Sequence, residues 1–186
     1  MVPLSVPAEP DVELLQAAAA GEPEAVRRLL DETGDLLYGF VFARVGGDRQ
    51  AAEDVVQDVY LEAMRSAASY RGDAAVSTWL CAIARRRLGR HYERERRQAA
   101  AERGLQLVTA EDGDPGPDHA VEERDEIVRA LGRLPALHRQ VLVLKYLDGQ
   151  AVAEIAEALG RSRVQVQSLL QRAREGLRHE LGSAGA

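Results

Sequence analysis

Between Leu134 and Leu181 the sequence LPALHRQVLVLKYLDGQAVAEIAEALGRSRVQVQSLLQRAREGLRHEL holds two helical periods separated by one tight turn, a spacing that few folds accommodate. Ala151 to Leu159 forms the short first period, Gly160 and Arg161 the turn, and Ser162 stands where a side-chain oxygen caps the next helix. Val166, Leu170, Ala173 and Leu177 recur at helical spacing and give the second period one apolar stripe. The pattern predicts a helix-turn-helix whose second helix turns Arg163, Gln165, Gln167, Ser168, Gln171, Arg172 and Arg174 outward. Arginine and glutamine pair bidentately with base edges in the major groove, and arginine and serine hold phosphates. A merely solvated helix face would share the stripe. The tight turn, the cap and the lack of acids from Ser162 to Arg174 favour DNA.

Overall charge opposes a simple DNA-binding module, because the formal net charge is −6. Its distribution removes the conflict. Residues 1–64 hold 13 acids against 4 bases, residues 85–103 hold 8 arginines against 3 glutamates, residues 104–126 hold 8 acids against 1 arginine, and residues 127–186 hold 9 bases against 5 acids. Two basic segments are thus separated by an acidic one behind an acidic start. This arrangement suits a chain that touches nucleic acid at two places and a basic partner elsewhere.

No apolar run is long enough to cross a membrane, and the opening MVPLSVPAEP lacks the basic and apolar regions of a signal peptide, so no membrane insertion and a cytoplasmic location are expected. Cys81 is the only cysteine, which excludes an internal disulfide and a cysteine-rich zinc site; it reads as a small core residue. His91, His119, His138 and His179 lack ligand spacing, so no metal site is expected.

Strand signals are almost absent. Asp11 is placed to cap a first helix ending before Gly21, and Pro23 suits the start of a second, with a possible break near Gly34, that ends at Gly46-Gly47. Asp48 precedes a third helix, AAEDVVQDVYLEAMRSA, with Ala52, Val55, Val56, Val59, Tyr60 and Met64 on its buried side and Glu53, Asp54, Gln57, Asp58 and Glu62 on the other. After a loop, Ser69 to Val76, a long helix starts at Ser77 or Thr78 and ends in an arginine-rich tract near Arg97. Gly, Pro and Asp then give the composition of a linker. The predicted fold is all-α: two small helical domains, 1–100 and 120–186, joined by a flexible acidic linker, 101–119, the C-terminal domain being the helix-turn-helix.

In this order and spacing, AAEDVVQDVYLEAM, SYRGDAAVSTWLCAIARRRL, the acidic linker and LGRSRVQVQSLLQRAR resemble the extracytoplasmic-function group of the sigma-70 family of bacterial transcription initiation factors. The resemblance spans nearly the whole chain. It implies that the first domain binds core RNA polymerase, through its β′ and β subunits, and the minus-ten promoter element, while the second binds the minus-thirty-five element. It also implies no enzymatic activity, no catalytic residue and no cofactor, and an anti-sigma factor as a further partner.

Under this resemblance Asp54, Gln57 and Asp58 match the polymerase-docking helix, where complementary charge speeds encounter and fixes register. Tyr70, Arg71 and Asp73 lie in the loop that, with the next helix, forms a pocket for a flipped base of the non-template strand; flipping costs a few kcal/mol that pocket contacts must offset. Trp79 suits a core anchor better than a stacking platform, although the position allows either. Arg85, Arg86, Arg90, Arg94 and Arg97 continue the helix toward phosphates, and Arg87, nearer the apolar stripe, is expected in an intradomain ion pair. The minus-thirty-five set is Arg161, Arg163, Gln165, Gln167, Ser168, Gln171 and Arg172. Linker acids Glu111, Asp112, Asp114 and Asp118 match the family in character alone.

Three positions depart from the family pattern. Arg86 stands where an asparagine commonly helps form the base pocket, Arg90 where an aspartate follows, and Leu169 where many relatives carry an arginine in the recognition helix. Neither arginine offers the combined donor and acceptor of an asparagine. Looser or shifted minus-ten preference is the expectation. A helix-turn-helix repressor or activator with a helical sensor domain would explain the C-terminal half but leave the acidic helix face and the arginine tract without a task. A purely protein-binding module would leave the polar face after Ser162 unexplained.

Overall fold

The computed structural model describes residues 12–104 and 122–184. Among the described residues every regular element is helical, as the periodicity predicts: α1 (Val12–Ala19), α2 (Pro23–Arg44), α3 (Arg49–Ser66), α4 (Val76–Gly104), α5 (Glu122–Arg133), α6 (Ala136–Leu142), α7 (Val152–Leu159) and α8 (Arg163–Ala184). The expected cap Asp11 and the linker acids Glu111, Asp112, Asp114 and Asp118 lie outside the described residues. The stretch expected to begin the linker at residue 101 is instead the last turn of α4. By compactness the chain divides into two units, residues up to 42 with 50–89, and residues 43–49 with 90–186.

In the first unit α2 runs unbroken through Gly34. Leu29, Leu37 and Val41 are fully buried along one face of α2. Their burial, at ~1.5–3 kcal/mol per large apolar side chain, outweighs the ~1 kcal/mol that a mid-helix glycine costs. Thr33 sits beside that glycine, donates its hydroxyl to Leu29 O at 2.6 Å and shares a 2.8 Å hydrogen bond with Tyr60 Oη, which ties α2 to α3. Ala52, Val55, Val59 and Ala63 form the buried side of α3, with Val56, Tyr60 and Met64 half-buried at its border. Val76, Leu80, Ile83, Ala84 and Leu88 bury the inner side of α4, and Cys81 is buried among them.

Helix α4 starts at Val76, ahead of the predicted Ser77 or Thr78, since Trp79 N–H already donates to Ala75 O at 3.0 Å. Fully burying Val76 favours this earlier start.

The second unit is built on one apolar cluster: Leu131, Leu134, Val141, Leu142, Ile155, Ala156, Val166, Leu169, Leu170 and Ala173. Pro135 opens α6, its carbonyl accepting from His138 and Arg139 N–H at 2.8 and 3.0 Å. A wider turn over Val143–Leu147 closes with Asp148 N–H donating to Val143 O at 3.0 Å. Two buried arginines are each paired, Arg44 with Asp148 at 2.8 Å and Arg139 with Glu95, as charges removed from water must be. Tyr92 donates its hydroxyl to Arg44 O at 2.8 Å, and burial holds its pKa well above the ordinary phenol range.

Candidate nucleic-acid and polymerase interfaces

The helix-turn-helix is held by local hydrogen bonds before any tertiary packing. Helix α7 starts with Glu154 accepting from Ala151 N–H at 2.6 Å and ends at Gly160, whose φ of 60° lies in the left-handed region that glycine adopts without strain. Gly160 N–H then donates to Glu157 O at 3.1 Å and Arg161 N–H to Ala156 O at 2.9 Å. Ser162 caps α8: its Oγ accepts from Gln165 N–H at 3.2 Å, and Gln165 Oε1 accepts from Ser162 N–H at 2.9 Å. This reciprocal box fixes the first turn. It also occupies the amide oxygen of Gln165, one of the glutamines expected to face adenine.

Arg161 in the turn and Arg163, Gln167, Ser168, Gln171 and Arg172 on the outward face of α8 are all exposed. Gln171 Nε2 donates to Glu175 Oε1 at 3.2 Å and Arg172 Nε to Ser168 O at 3.4 Å, whereas no intramolecular side-chain partner holds Arg163 or Gln167 among the described residues. Leu169, at the position where many relatives carry an arginine, is 5% exposed and belongs to the apolar cluster, so in this chain it packs rather than faces a groove. Sequence reasoning missed Val164, 74% exposed on the first turn of α8, although the helical period that located the stripe also places this valine opposite it.

The loop before α4 is built around an aromatic pair. Tyr70 and Trp79 rings lie 4.9 Å apart, tilted by 41°, and Tyr70 Oη donates to Ala74 O across the loop. Tyr70 is 9% exposed and Trp79 half-buried, so both brace the loop, while Arg71 and Asp73, paired at 3.1 Å, are exposed at its tip. Along α4 the arginines divide by partner. Arg85 lies over the Phe40 ring, 5.2 Å from its centroid, and Arg86 reaches Glu62 at 3.5 Å. Arg87, much less exposed, pairs with Asp58 at 3.4 Å and with Glu62, the intradomain pairing expected of it. Arg90 and Arg94 are exposed one and two turns beyond Arg86, and Arg97 is drawn back to Glu93 at 3.1 Å.

On α3, Glu53, Asp54, Gln57 and Asp58 are exposed. Asp54 accepts from Gln50 Nε2 at 3.1 Å, within its own helix. Glu62, expected on this open face, is half-buried because it supports Arg87 and Arg86. Leu61, 46% exposed, joins the face one turn after Asp58.

Among the described residues no group of three or more His, Cys, Asp or Glu side chains is placed to hold a metal ion. None of the described helices is long and apolar enough to cross a membrane.

Residues 29–98 match the family described as Sigma-70 region 2, and residues 124–177 match Sigma-70, region 4. The ECF RNA polymerase sigma factor SigL of Mycobacterium tuberculosis is 33% identical over 173 residues, covering 92% of this chain and 97% of SigL. The chain belongs to the extracytoplasmic-function sigma factors of the sigma-70 family. SigK of Mycobacterium ulcerans is 32% identical over 179 residues, 92% of this sigma factor and 93% of SigK. BldN of Streptomyces coelicolor is 29% identical over 166 residues, and the match spans 87% of this sigma factor and 62% of BldN. The sigma factor RpoE of Bartonella quintana, solved in complex with the anti-sigma factor NepR, superposes with a TM-score of 0.52 at 22% identity, covering 86% of this chain and 98% of RpoE, a likeness of fold.

Proposed function

We propose that this sigma factor recruits core RNA polymerase through the acidic face of α3 and reads its promoters at two elements, the minus-ten with the loop at residues 70–75 and α4, the minus-thirty-five with α8. The observation that carries the reading is the outward face of the first turns of α8, exposed, free of acids from Arg163 to Arg174 and presented by a doubly hydrogen-bonded N-terminal cap. Asp54, Gln57 and Asp58 would meet a basic surface of the β′ subunit, and β completes the core enzyme. Arg86, Arg90 and Arg94 hold backbone phosphates of the opening duplex, and Arg71, Asp73 and Trp79 border the pocket for the flipped base. Arg87, paired with Asp58 of the docking face, links polymerase binding to the position of the DNA-binding helix. The factor itself performs no catalysis; it acts in the cytoplasm, at the nucleoid when polymerase-bound, and an anti-sigma factor restrains it. The test is run-off transcription with core polymerase, with and without the chain: specific initiation supports the reading, and its absence on every promoter of the source genome defeats it.

Within α8 the hydrogen bonds divide the base readers. Gln167 keeps both amide ends free for an adenine edge, whereas the amide oxygen of Gln165 is held on the cap by Ser162 N–H. Gln167→Ala should cost about 1–3 kcal/mol and relax preference at one base pair. Arg172→Ala should weaken binding evenly across sequences and lower its salt dependence. Affinity measured on a panel of single-base variants at two salt concentrations separates the two patterns; an even loss for Gln167→Ala removes it from base reading.

Arg86 is exposed beside Glu62, in place of the asparagine common in the family. Promoters transcribed from a library randomised at the minus-ten element should differ between wild type and Arg86→Asn. Identical preferences would leave Arg86 as a backbone contact.

A further inference from the structure

We infer that Val164 reads the C5-methyl group of a thymine in the upstream promoter element, an inference that rests on the placement of α8 in the major groove proposed above. Val164 is 74% exposed, more than any other large apolar side chain among those described. With 100° per residue, its direction lies roughly 170° from the mean of Val166, Leu169, Leu170 and Ala173, at the centre of the outward face. Nothing local calls for a valine there. The β-branched side chain is a poorer helix former than alanine or glutamine, and it takes no part in the Ser162–Gln165 cap.

Its surroundings select the occupant. Arg161, Arg163, Gln167 and Ser168 flank it, all exposed, and no acid lies between Glu157 and Glu175. A basic, amide-bearing surface with one apolar spot at its middle fits a nucleic-acid groove better than an apolar protein patch. N-terminal residues of a recognition helix are the ones that reach base edges. In the major groove the thymine methyl is the one apolar feature among the base edges. Val164 therefore adds a hydrophobic reading to the hydrogen-bond reading by Gln167 and Arg163, one turn along and one residue before it.

Holoenzyme assembled from core polymerase and the full chain first selects upstream elements from a library randomised at that element. In the selected duplex each thymine is then replaced by deoxyuridine, which removes only the methyl group, and affinity is measured for wild-type and Val164→Ala holoenzymes. Burial of one methyl group corresponds to about a three- to fivefold change in affinity. At one position wild type should lose that factor, while Val164→Ala, weaker from the outset, should not distinguish the two duplexes. Because the side chain is exposed, Val164→Ala should keep its fold, checked by far-ultraviolet circular dichroism. Equal losses in both proteins overturn the inference, as do a selected element without thymine and a wild type indifferent to every replacement; the last is the outcome expected if Val164 serves a protein partner. A selection that returns no upstream preference defeats the groove placement of α8, and the inference with it, and is told apart from the other failures because those retain a selected element.

Discussion

Asp54→Arg should lower the affinity of the chain for core RNA polymerase by a hundredfold or more, on the order of the 2–5 kcal/mol lost when one partner of a charge pair buried by an interface is removed, with no loss of helicity. Asp54 is the cleaner of the two acids on this face. It is exposed, and the bond it makes, from Gln50 at 3.1 Å, lies within α3, so its reversal leaves the packing of α2, α3 and α4 untouched. Asp58→Arg is a different experiment, because it would replace the carboxylate 3.4 Å from Arg87 with a second positive charge and disturb the pair that Arg87 makes with Glu62. Asp58→Asn removes the charge without adding the repulsion and should cost less. Co-purification and fluorescence anisotropy with core enzyme in the absence of DNA measure both; because exposed charges are screened, the wild-type affinity should also fall as salt rises. Unchanged affinity of Asp54→Arg would remove the α3 face from polymerase docking.

Most of the helical frame was legible in the sequence because its signals are local. The stripe at Val166, Leu170 and Ala173, the turn at Gly160 and the cap at Ser162 depend on neighbours within a few positions, and each is found where the period puts it. What was not legible depends on contacts between elements. The continuity of α2 through Gly34 follows from burial of Leu29, Leu37 and Val41, which glycine's local preference does not reveal. Glu62 looks exposed on a wheel of α3 and turns out half-buried because Arg87, on another helix, draws on it. The outward face of α8 was readable as a set, whereas its internal division was not: that the amide oxygen of Gln165 turns back to the cap is a matter of side-chain geometry.

Ile155→Ala should destabilise the helix-turn-helix by about 2–5 kcal/mol, the range for truncating a large buried aliphatic side chain. Ile155 is fully buried on α7, in one cluster with Val141 and Leu142 of α6 and Val166, Leu169 and Leu170 of α8. It therefore stands where the three helices that place the recognition face meet. Because native domains are stable by only about 5–15 kcal/mol, the loss should consume a large share of the stability of this part of the chain. Ile155→Val, which removes one methylene, should cost only about 0.5–1.5 kcal/mol and act as a graded control. Urea unfolding of the full chain followed by circular dichroism should show the midpoint of one portion of the helical signal fall sharply for alanine and slightly for valine. The functional consequence is selective. Upstream-element discrimination should fail in the alanine variant, whereas affinity for core enzyme should persist, because Asp54, Gln57 and Asp58 stand on α3 in the other compact unit. Loss of core binding in parallel with α8 function would instead mean that polymerase docking requires the folded helix-turn-helix, and the division of labour between α3 and α8 would have to be redrawn.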